Sequence, residues 1–163
     1  THARDKDAPV AVMMLCEAAA FYKKKGLTLW DQMMNIYREY GFYKETQIAI
    51  TMPGIEGAGK IAALMDNLRK NPPAELDRWK VMEFRDYETG TVRDIATGKE
   101  HPTGLPESNV LYFELDDDAW VCARPSGTEP KIKFYIGVRG KSLEDADKQN
   151  KTLSDALRKL IGD

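Results

Sequence analysis

The sequence has 163 residues, of which 42% are hydrophobic and 31% are charged, with a formal net charge of −2 at pH 7. This balance allows a packed core and argues against nucleic-acid partners, because proteins that bind nucleic acids are normally basic.

Cys16 and Cys122 are too few for a disulfide framework, and each lies in an apolar run typical of a buried free thiol. The longest apolar run, residues 8–22, contains Glu17 and is too short to span a bilayer. We therefore expect a cytoplasmic protein without a signal peptide or a membrane partner.

The first predicted element is a helix over residues 8–25. Its apolar residues lie on nearly all sides, so the helix needs burial on more than one side, and a lysine run before Gly26 ends it. Asp5 or Asp7 provides the N-cap, and Pro9 falls in the first turn. An apolar helix of this kind is expected to dock on another domain or to cause self-association of the chain.

A second helix is predicted directly after the first. Thr28 and Asp31 have the spacing of a capping box, and the apolar residues that follow recur at helical intervals. Gly41 is a natural stop for this helix. Residues 41–45 then precede a change of pattern, so they are predicted to form a hinge between two domains, residues 1–41 and residues 42–163.

The remainder of the chain reads mainly as short strands closed by one long helix. The alternation of apolar and polar residues begins at Thr46. The predicted elements are a strand over 48–52, a helix over 61–68, a strand over 79–87, a turn-rich loop over 88–108, strands over 110–115 and 119–123, a strand over 132–138, and a final helix capped by Ser142 and Asp145. This order predicts an α+β fold in which an antiparallel sheet carries its helices on one face.

Residues 124–130 read RPSGTEP and are the most informative segment of the chain. Arg124 offers a planar fork of donors that fits two phosphate oxygens, and Ser126 and Thr128 add hydroxyl donors. Gly127 can take a positive φ, which would turn consecutive backbone N–H groups inward as an anion-binding nest. The residues alone are equally compatible with a tight turn between two strands. The segment is therefore either a phosphate-binding loop or a structural hairpin.

Three other patterns have simpler structural explanations. Residues 54–60 match most of a nucleotide-binding P-loop, but Ile61 stands where a hydroxyl would hold Mg²⁺, so a glycine-rich helix entry is predicted. The aspartate run 116–118 is predicted to form a hairpin turn in preference to a metal site. His2 and His101 have no cysteine partners at zinc spacing, so no metal site is expected.

The segment 124–130 and the strand KIKFYI that follows it resemble the phosphate-binding loop of the C-terminal domain in the α-D-phosphohexomutases, most closely the bacterial phosphoglucomutases. In that family the loop holds the substrate phosphate that is not being transferred. The resemblance implies phosphate-binding roles for Arg124, Ser126, Gly127 and Thr128, and it places Lys133 where the family has a second cation. It also implies that the sheet domain has the TATA-binding-protein-like layout of the family's last domain.

Residues 1–7, THARDKD, resemble a segment of the family's third domain that follows the sugar-binding loop. There a lysine in the same context contacts the substrate, so the resemblance implies a substrate-binding role for Lys6. Residues 1–41 would then be the helical tail of the sugar-binding domain, and residues 42–163 the phosphate-binding domain. Because the chain begins with Thr1 and shows neither the family's nucleophile motif nor its metal loop, it is expected to be a cut piece with no catalytic residue of its own.

The resemblance implies a parent enzyme that interconverts glucose 1-phosphate and glucose 6-phosphate through a bisphosphate intermediate. Such a parent uses Mg²⁺ and glucose 1,6-bisphosphate, and its partners would be the phosphosugar and its own remaining domains. The present chain would bind none of these cofactors, except phosphate itself. A phosphomannomutase, a phosphopentomutase or a non-enzymatic anion-binding domain remains an alternative, since sugar choice resides mostly in residues that this chain lacks.

Overall fold

The computed structural model describes residues 6–162, apart from the side chain of Ile55. It divides into two compact units, one ending at Gly41 and the other beginning at Phe42. In chain order the helices and strands are α1 (Ala8–Lys24), α2 (Leu29–Tyr40), β1 (Phe42–Thr51), α3 (Ile55–Lys70), β2 (Glu75–Leu76), β3 (Trp79–Asp86), β4 (Thr91–Asp94), β5 (Glu100–Pro102), β6 (Leu111–Leu115), β7 (Trp120–Pro125), β8 (Lys131–Gly140) and α4 (Leu143–Ile161). Within the described residues, no helix is long and apolar enough to cross a membrane.

The first unit contains α1 and α2, whose ends follow the sequence prediction. The Asp7 side chain accepts a hydrogen bond from the Val10 N–H at 3.0 Å and so caps α1. Thr28 and Asp31 form the predicted capping box, and α2 ends at Gly41. Neither helix has a buried residue, so the prediction that Cys16 on α1 is buried is wrong. An apolar run in the sequence indicates a need for burial, but it does not supply the surface that buries it.

The second unit is built on an antiparallel sheet in which the described strands follow the order β1-β8-β7-β6-β3-β4-β5, with β2 paired to β3. The longest strand, β8, lies between β1 and β7. Successive side chains of a strand point to opposite faces, so β8 presents apolar residues to one face and polar or aromatic residues to the other. The predicted α+β class, an antiparallel sheet with helices, is confirmed.

The core lies between one face of the sheet and the helices α3 and α4. Strand β8 contributes Ile132, Phe134 and Ile136, each with 0% of its surface exposed. Helix α3 contributes Met65 and helix α4 contributes Leu153, and both belong to the same buried cluster. The polar anchor of α4 is Asn150, which is buried, accepts a hydrogen bond from Thr46 Oγ1 at 2.6 Å and donates to the Lys44 carbonyl. The side-chain cluster therefore places both helices on one face of the sheet, as predicted.

Two sequence predictions about boundaries are wrong. The hinge predicted over residues 41–45 is incorrect for its last four residues, because β1 begins at Phe42 and pairs with β8 from Phe42 opposite Gly140 onward. The loop predicted over residues 88–108 contains β4 and β5, which pair with each other and extend the sheet beyond β3. In both places the partner strand supplies the hydrogen bonds that form the strand. The local alternation of apolar and polar residues is too short to predict a strand there.

Candidate functional site

The segment that connects β7 to β8, residues 126–130, has both ends fixed by backbone hydrogen bonds. The Ser126 N–H donates to the Lys131 carbonyl at 2.7 Å, and the Lys131 N–H donates to the Glu129 carbonyl at 2.7 Å. The Pro130 carbonyl accepts from the N–H of Met52 at 2.9 Å, which ties the loop to the end of β1. The loop therefore has a rigid base, and Gly127 to Glu129 form its exposed tip.

The tip of the loop is held by the side chain of Ser126. Its Oγ accepts hydrogen bonds from the N–H of Thr128 at 3.4 Å and from the N–H of Glu129 at 3.3 Å. Gly127 is not among the glycines with a positive φ. The structure therefore does not show the predicted nest, because Gly127 has no positive φ and these N–H groups are directed to Ser126 Oγ. The Ser126 hydroxyl instead stabilises a turn between β7 and β8, which is the structural alternative that the sequence left open.

Two cations lie side by side at the base of the loop. Arg124 on β7 is directly opposite Lys133 on β8, so their side chains share the face of the sheet that points away from the core. Arg124 is exposed and Lys133 is half-buried. Within residues 6–162, neither of them has a carboxylate in salt-bridge range. By contrast, Arg85 and Arg139, on the same sheet, are each paired with a carboxylate. Two adjacent unpaired cations form a surface that favours an anion.

The structure brings together the predicted residues of the second unit. Arg124, Ser126, Gly127 and Thr128 lie at one end of the β7–β8 hairpin, with Lys133 across from Arg124. Lys6 belongs to the first unit, where it is exposed and precedes α1 with a φ of 55°. Residues 1–5 of its predicted motif lie outside the described residues.

A groove of about 720 Å³ runs beside the loop on the side of the sheet that carries α3. The wall opposite the loop is formed mainly by α3 and is largely apolar; its residues are Gly54, Ala58, Ile61, Ala62, Met65 and Asn109. No pattern in the sequence connects these residues with the site. The glycine-rich segment 54–60 is the one feature that could have indicated the groove; it forms the entry to α3, as predicted, with Gly54 as the N-cap.

The aspartate run 116–118 forms the turn between β6 and β7, as predicted. Asp116 accepts from the N–H of Lys80, while Asp118 binds the guanidinium of Arg139 at 2.7 Å. In the part of the chain that the structure describes, no group of three or more His, Cys, Asp or Glu residues is placed to hold a metal ion. These aspartates therefore stabilise a hairpin and its neighbouring strands.

Cys122 provides a chemical probe of this face, because it lies two residues before Arg124 on β7. Burial raises the pKa of the Cys122 thiol, and the nearby Arg124 guanidinium offsets part of this effect. A thiol with a raised pKa carries less reactive thiolate at a given pH. We expect an aromatic disulfide reagent at pH 8 to modify the exposed Cys16 quickly and Cys122 slowly, with the slow phase accelerating as the pH rises. Equal rates for the two thiols in the folded chain would contradict this, and Cys16→Ser assigns the phases.

Comparison with known proteins identifies the family of this chain. The family described as "Phosphoglucomutase/phosphomannomutase, C-terminal domain" matches residues 61–151, which include the β7–β8 loop and both cations. The chain belongs to this family. It is 37% identical over 142 residues to a phosphoglucomutase of Staphylococcus aureus strain MSSA476, covering 87% of this chain and 26% of the relative.

A second relative has a different name. The chain is 37% identical over 158 residues to a probable phosphomannomutase of Haemophilus influenzae, covering 97% of this chain and 29% of the relative. The chain thus spans little more than a quarter of the length of these relatives. Among solved structures, a solution structure from Cytophaga hutchinsonii covers 73% of this chain and 88% of its own, with 13% identity and a TM-score of 0.28, which is too low to support an argument.

Proposed function

We propose that this chain is the phosphate-binding C-terminal part of a phosphoglucomutase, an enzyme that interconverts glucose 1-phosphate and glucose 6-phosphate. The observation that carries the proposal is the unpaired Arg124 beside Lys133, at the base of a loop rich in hydroxyl groups. Residues 42–163 would form the phosphate-binding domain. The helices α1 and α2 would be the tail of the preceding sugar-binding domain, and Lys6 would contact the sugar there.

The chemistry of the loop suits a phosphate that is held and not transferred. The guanidinium of Arg124 can donate two parallel hydrogen bonds to phosphate oxygens, and Lys133 adds a point charge. The hydroxyls of Ser126 and Thr128 are further donors. These groups would recognise the phosphate and not the sugar, so the loop could accept a phosphate from either end of a hexose. This property matches a reaction whose bisphosphate intermediate must reverse its orientation between two half-reactions.

The remaining chemistry is assigned to the rest of the parent enzyme. A phosphoserine would donate the phosphoryl group, Mg²⁺ would assist the transfer, and glucose 1,6-bisphosphate would be the intermediate. Mg²⁺ would be held by the other domains of the parent enzyme. The part of the chain described here would bind and orient one phosphate.

A phosphomannomutase is the second candidate, and the likeness to the Haemophilus influenzae protein over 97% of the chain favours it. Both enzymes would use the same phosphate loop, because the role proposed for that loop is to bind phosphate and not the sugar. The two candidates are separated by the kcat/KM of the intact parent enzyme on glucose 1-phosphate and on mannose 1-phosphate. A parent that prefers mannose 1-phosphate would replace the first proposal with the second.

The purified chain tests the proposal directly. We expect it to bind inorganic phosphate with a Kd in the millimolar range, about −4 kcal/mol, because most contacts of a complete site would lie on other domains. We also expect no mutase turnover on glucose 1-phosphate. Phosphate binding is measured by NMR titration of the amide signals around the loop, with sodium chloride at equal ionic strength as the control. Turnover by the chain alone, or a response identical to that of chloride, would contradict the proposal.

The apolar surface of α1 should determine how the isolated chain behaves. Val12, Met13, Met14 and Leu15 have exposed fractions between 59% and 67%. Exposed apolar patches of several hundred Å² usually bind a partner. We propose that the remaining domains cover this surface in the parent enzyme, and we expect the isolated chain to self-associate through it. Light scattering over a dilution series should show a mass that falls with concentration, and Met13→Glu with Leu15→Glu should give a monomer. A monomeric unmodified chain at every concentration would contradict this.

A further inference from the structure

The loop tip has few bonds that would oppose a change of conformation. Its ends are fixed by the Ser126 N–H, the Lys131 N–H and the Pro130 carbonyl. Between these points, the hydrogen bonds that hold the N–H groups of Thr128 and Glu129 are the two accepted by Ser126 Oγ, at 3.4 and 3.3 Å. Both are longer than an ordinary N–H···O bond of about 2.9–3.0 Å, and the acceptor is neutral. A charged acceptor at the same place would compete well for these two donors.

Gly127 is a residue that the present loop conformation does not require. Its φ lies outside the left-handed region that favours glycine, and a Cβ built on it would meet nothing within 4 Å. Neither backbone strain nor crowding therefore explains a glycine at this position. Glycine does become necessary if the loop also adopts a second conformation in which φ at residue 127 is positive.

We propose that phosphate binding switches the loop between two conformations that differ in the φ of Gly127. In the first conformation, the Ser126 hydroxyl accepts the two hydrogen bonds that a phosphate oxygen accepts in the second. The N–H groups of Thr128 and Glu129 leave Ser126 Oγ and donate to the phosphate, while Gly127 moves into the left-handed region that an anion-binding nest needs. This inference rests on the proposed phosphate-binding function and adds a mechanism to it.

The switch would keep the two N–H donors close together at the exposed tip before phosphate binds. A hydroxyl has two acceptor lone pairs and one donor hydrogen, so Ser126 can hold both N–H groups together when phosphate is absent. When phosphate takes those N–H groups, the Ser126 hydroxyl becomes available to donate its own hydrogen to the ligand. Because the ends of the loop are fixed, the change is confined to the tip, and the cations Arg124 and Lys133 keep their positions.

The decisive variant is Gly127→Ala, with Gly59→Ala as the matched control. Gly59 lies in α3, a Cβ built on it would also meet nothing within 4 Å, and it does not line the groove beside the loop. Since alanine is disfavoured in the left-handed region, we expect Gly127→Ala to weaken inorganic phosphate binding by about tenfold. The midpoint of urea unfolding without phosphate should not fall, because the present conformation accepts alanine. Gly59→Ala should leave phosphate affinity unchanged.

Amide NMR of the whole chain during the same titration reports the transfer of the two hydrogen bonds. We expect the Thr128 and Glu129 amide protons to shift downfield with phosphate, as they exchange a neutral acceptor for a charged one, and not with chloride. Phosphate binding that shifts the signals near Arg124 but leaves these two amides unchanged, or wild-type affinity in Gly127→Ala, would overturn the switch while preserving the proposed function. Failure of the unmodified chain to respond to phosphate would overturn the phosphate site itself and the switch with it.

Discussion

Arg124→Ala is expected to weaken phosphate binding by about 2–3 kcal/mol, which corresponds to roughly 30- to 150-fold in Kd. The substitution removes a bidentate, charge-assisted contact and leaves Lys133 as the cation nearest to it across the hairpin. Arg124→Lys should recover only part of the loss, because an ammonium group cannot reproduce the planar fork. In the intact parent enzyme, the same substitutions should lower kcat/KM on glucose 1-phosphate in the same order.

The matched control for this prediction is Arg139→Ala. Arg139 is an exposed arginine on β8, but it pairs with Asp118 at 2.7 Å and lies away from the loop, near the other end of the strand. Its removal should leave phosphate affinity unchanged. If Arg124→Ala and Arg139→Ala have equal effects, the cation contributes only general charge, and Arg124 is not a phosphate ligand.

Phe134→Ala is expected to lower the free energy of unfolding by about 3–5 kcal/mol. Phe134 has 0% of its surface exposed and lies in β8, between β1 and β7, beneath the helices that cover the core. Its truncation would leave a cavity that the surrounding strands cannot fill without breaking their pairing. Urea denaturation followed by the fluorescence of Trp79 and Trp120, both in the second unit, measures the loss.

The neighbouring position supplies the control, because the strand alternates between its two faces. Tyr135 is half-buried on the opposite face of the sheet, so Tyr135→Ala should lower the free energy of unfolding by roughly 1 kcal/mol. A similar loss for both variants would show that the core does not lie on the face where the structure places it. A small loss for Phe134→Ala alone would indicate that the strand repacks.

The features that the sequence alone determined are those set by contacts a few residues apart. The capping box at Thr28 and Asp31 follows from a three-residue spacing, and the core face of β8 follows from its alternation. The turn at 116–118 is local in the same way. The sequence left the cap of α1 open between Asp5 and Asp7, and the structure shows a cap at Asp7. The sequence also predicts a phosphate-binding role for the segment that begins at Arg124, because its donor groups occur close together and resemble those of a known family.

The tertiary structure decided what depends on partners distant in the chain. Phe42 belongs to a strand because Gly140 pairs with it, and the residues around Phe42 alone indicate a hinge. Cys16 is exposed, although its apolar segment predicts burial. Burial depends on a covering surface, and an apolar segment does not show where that surface is. Gly127 has no positive φ, and Ser126 Oγ accepts hydrogen bonds from the N–H groups of Thr128 and Glu129, whereas the sequence is compatible with either sign of φ at Gly127. The sequence therefore indicates the candidate phosphate-binding donors, whereas hydrogen bonding in the folded β7–β8 hairpin determines the conformation in which they are held.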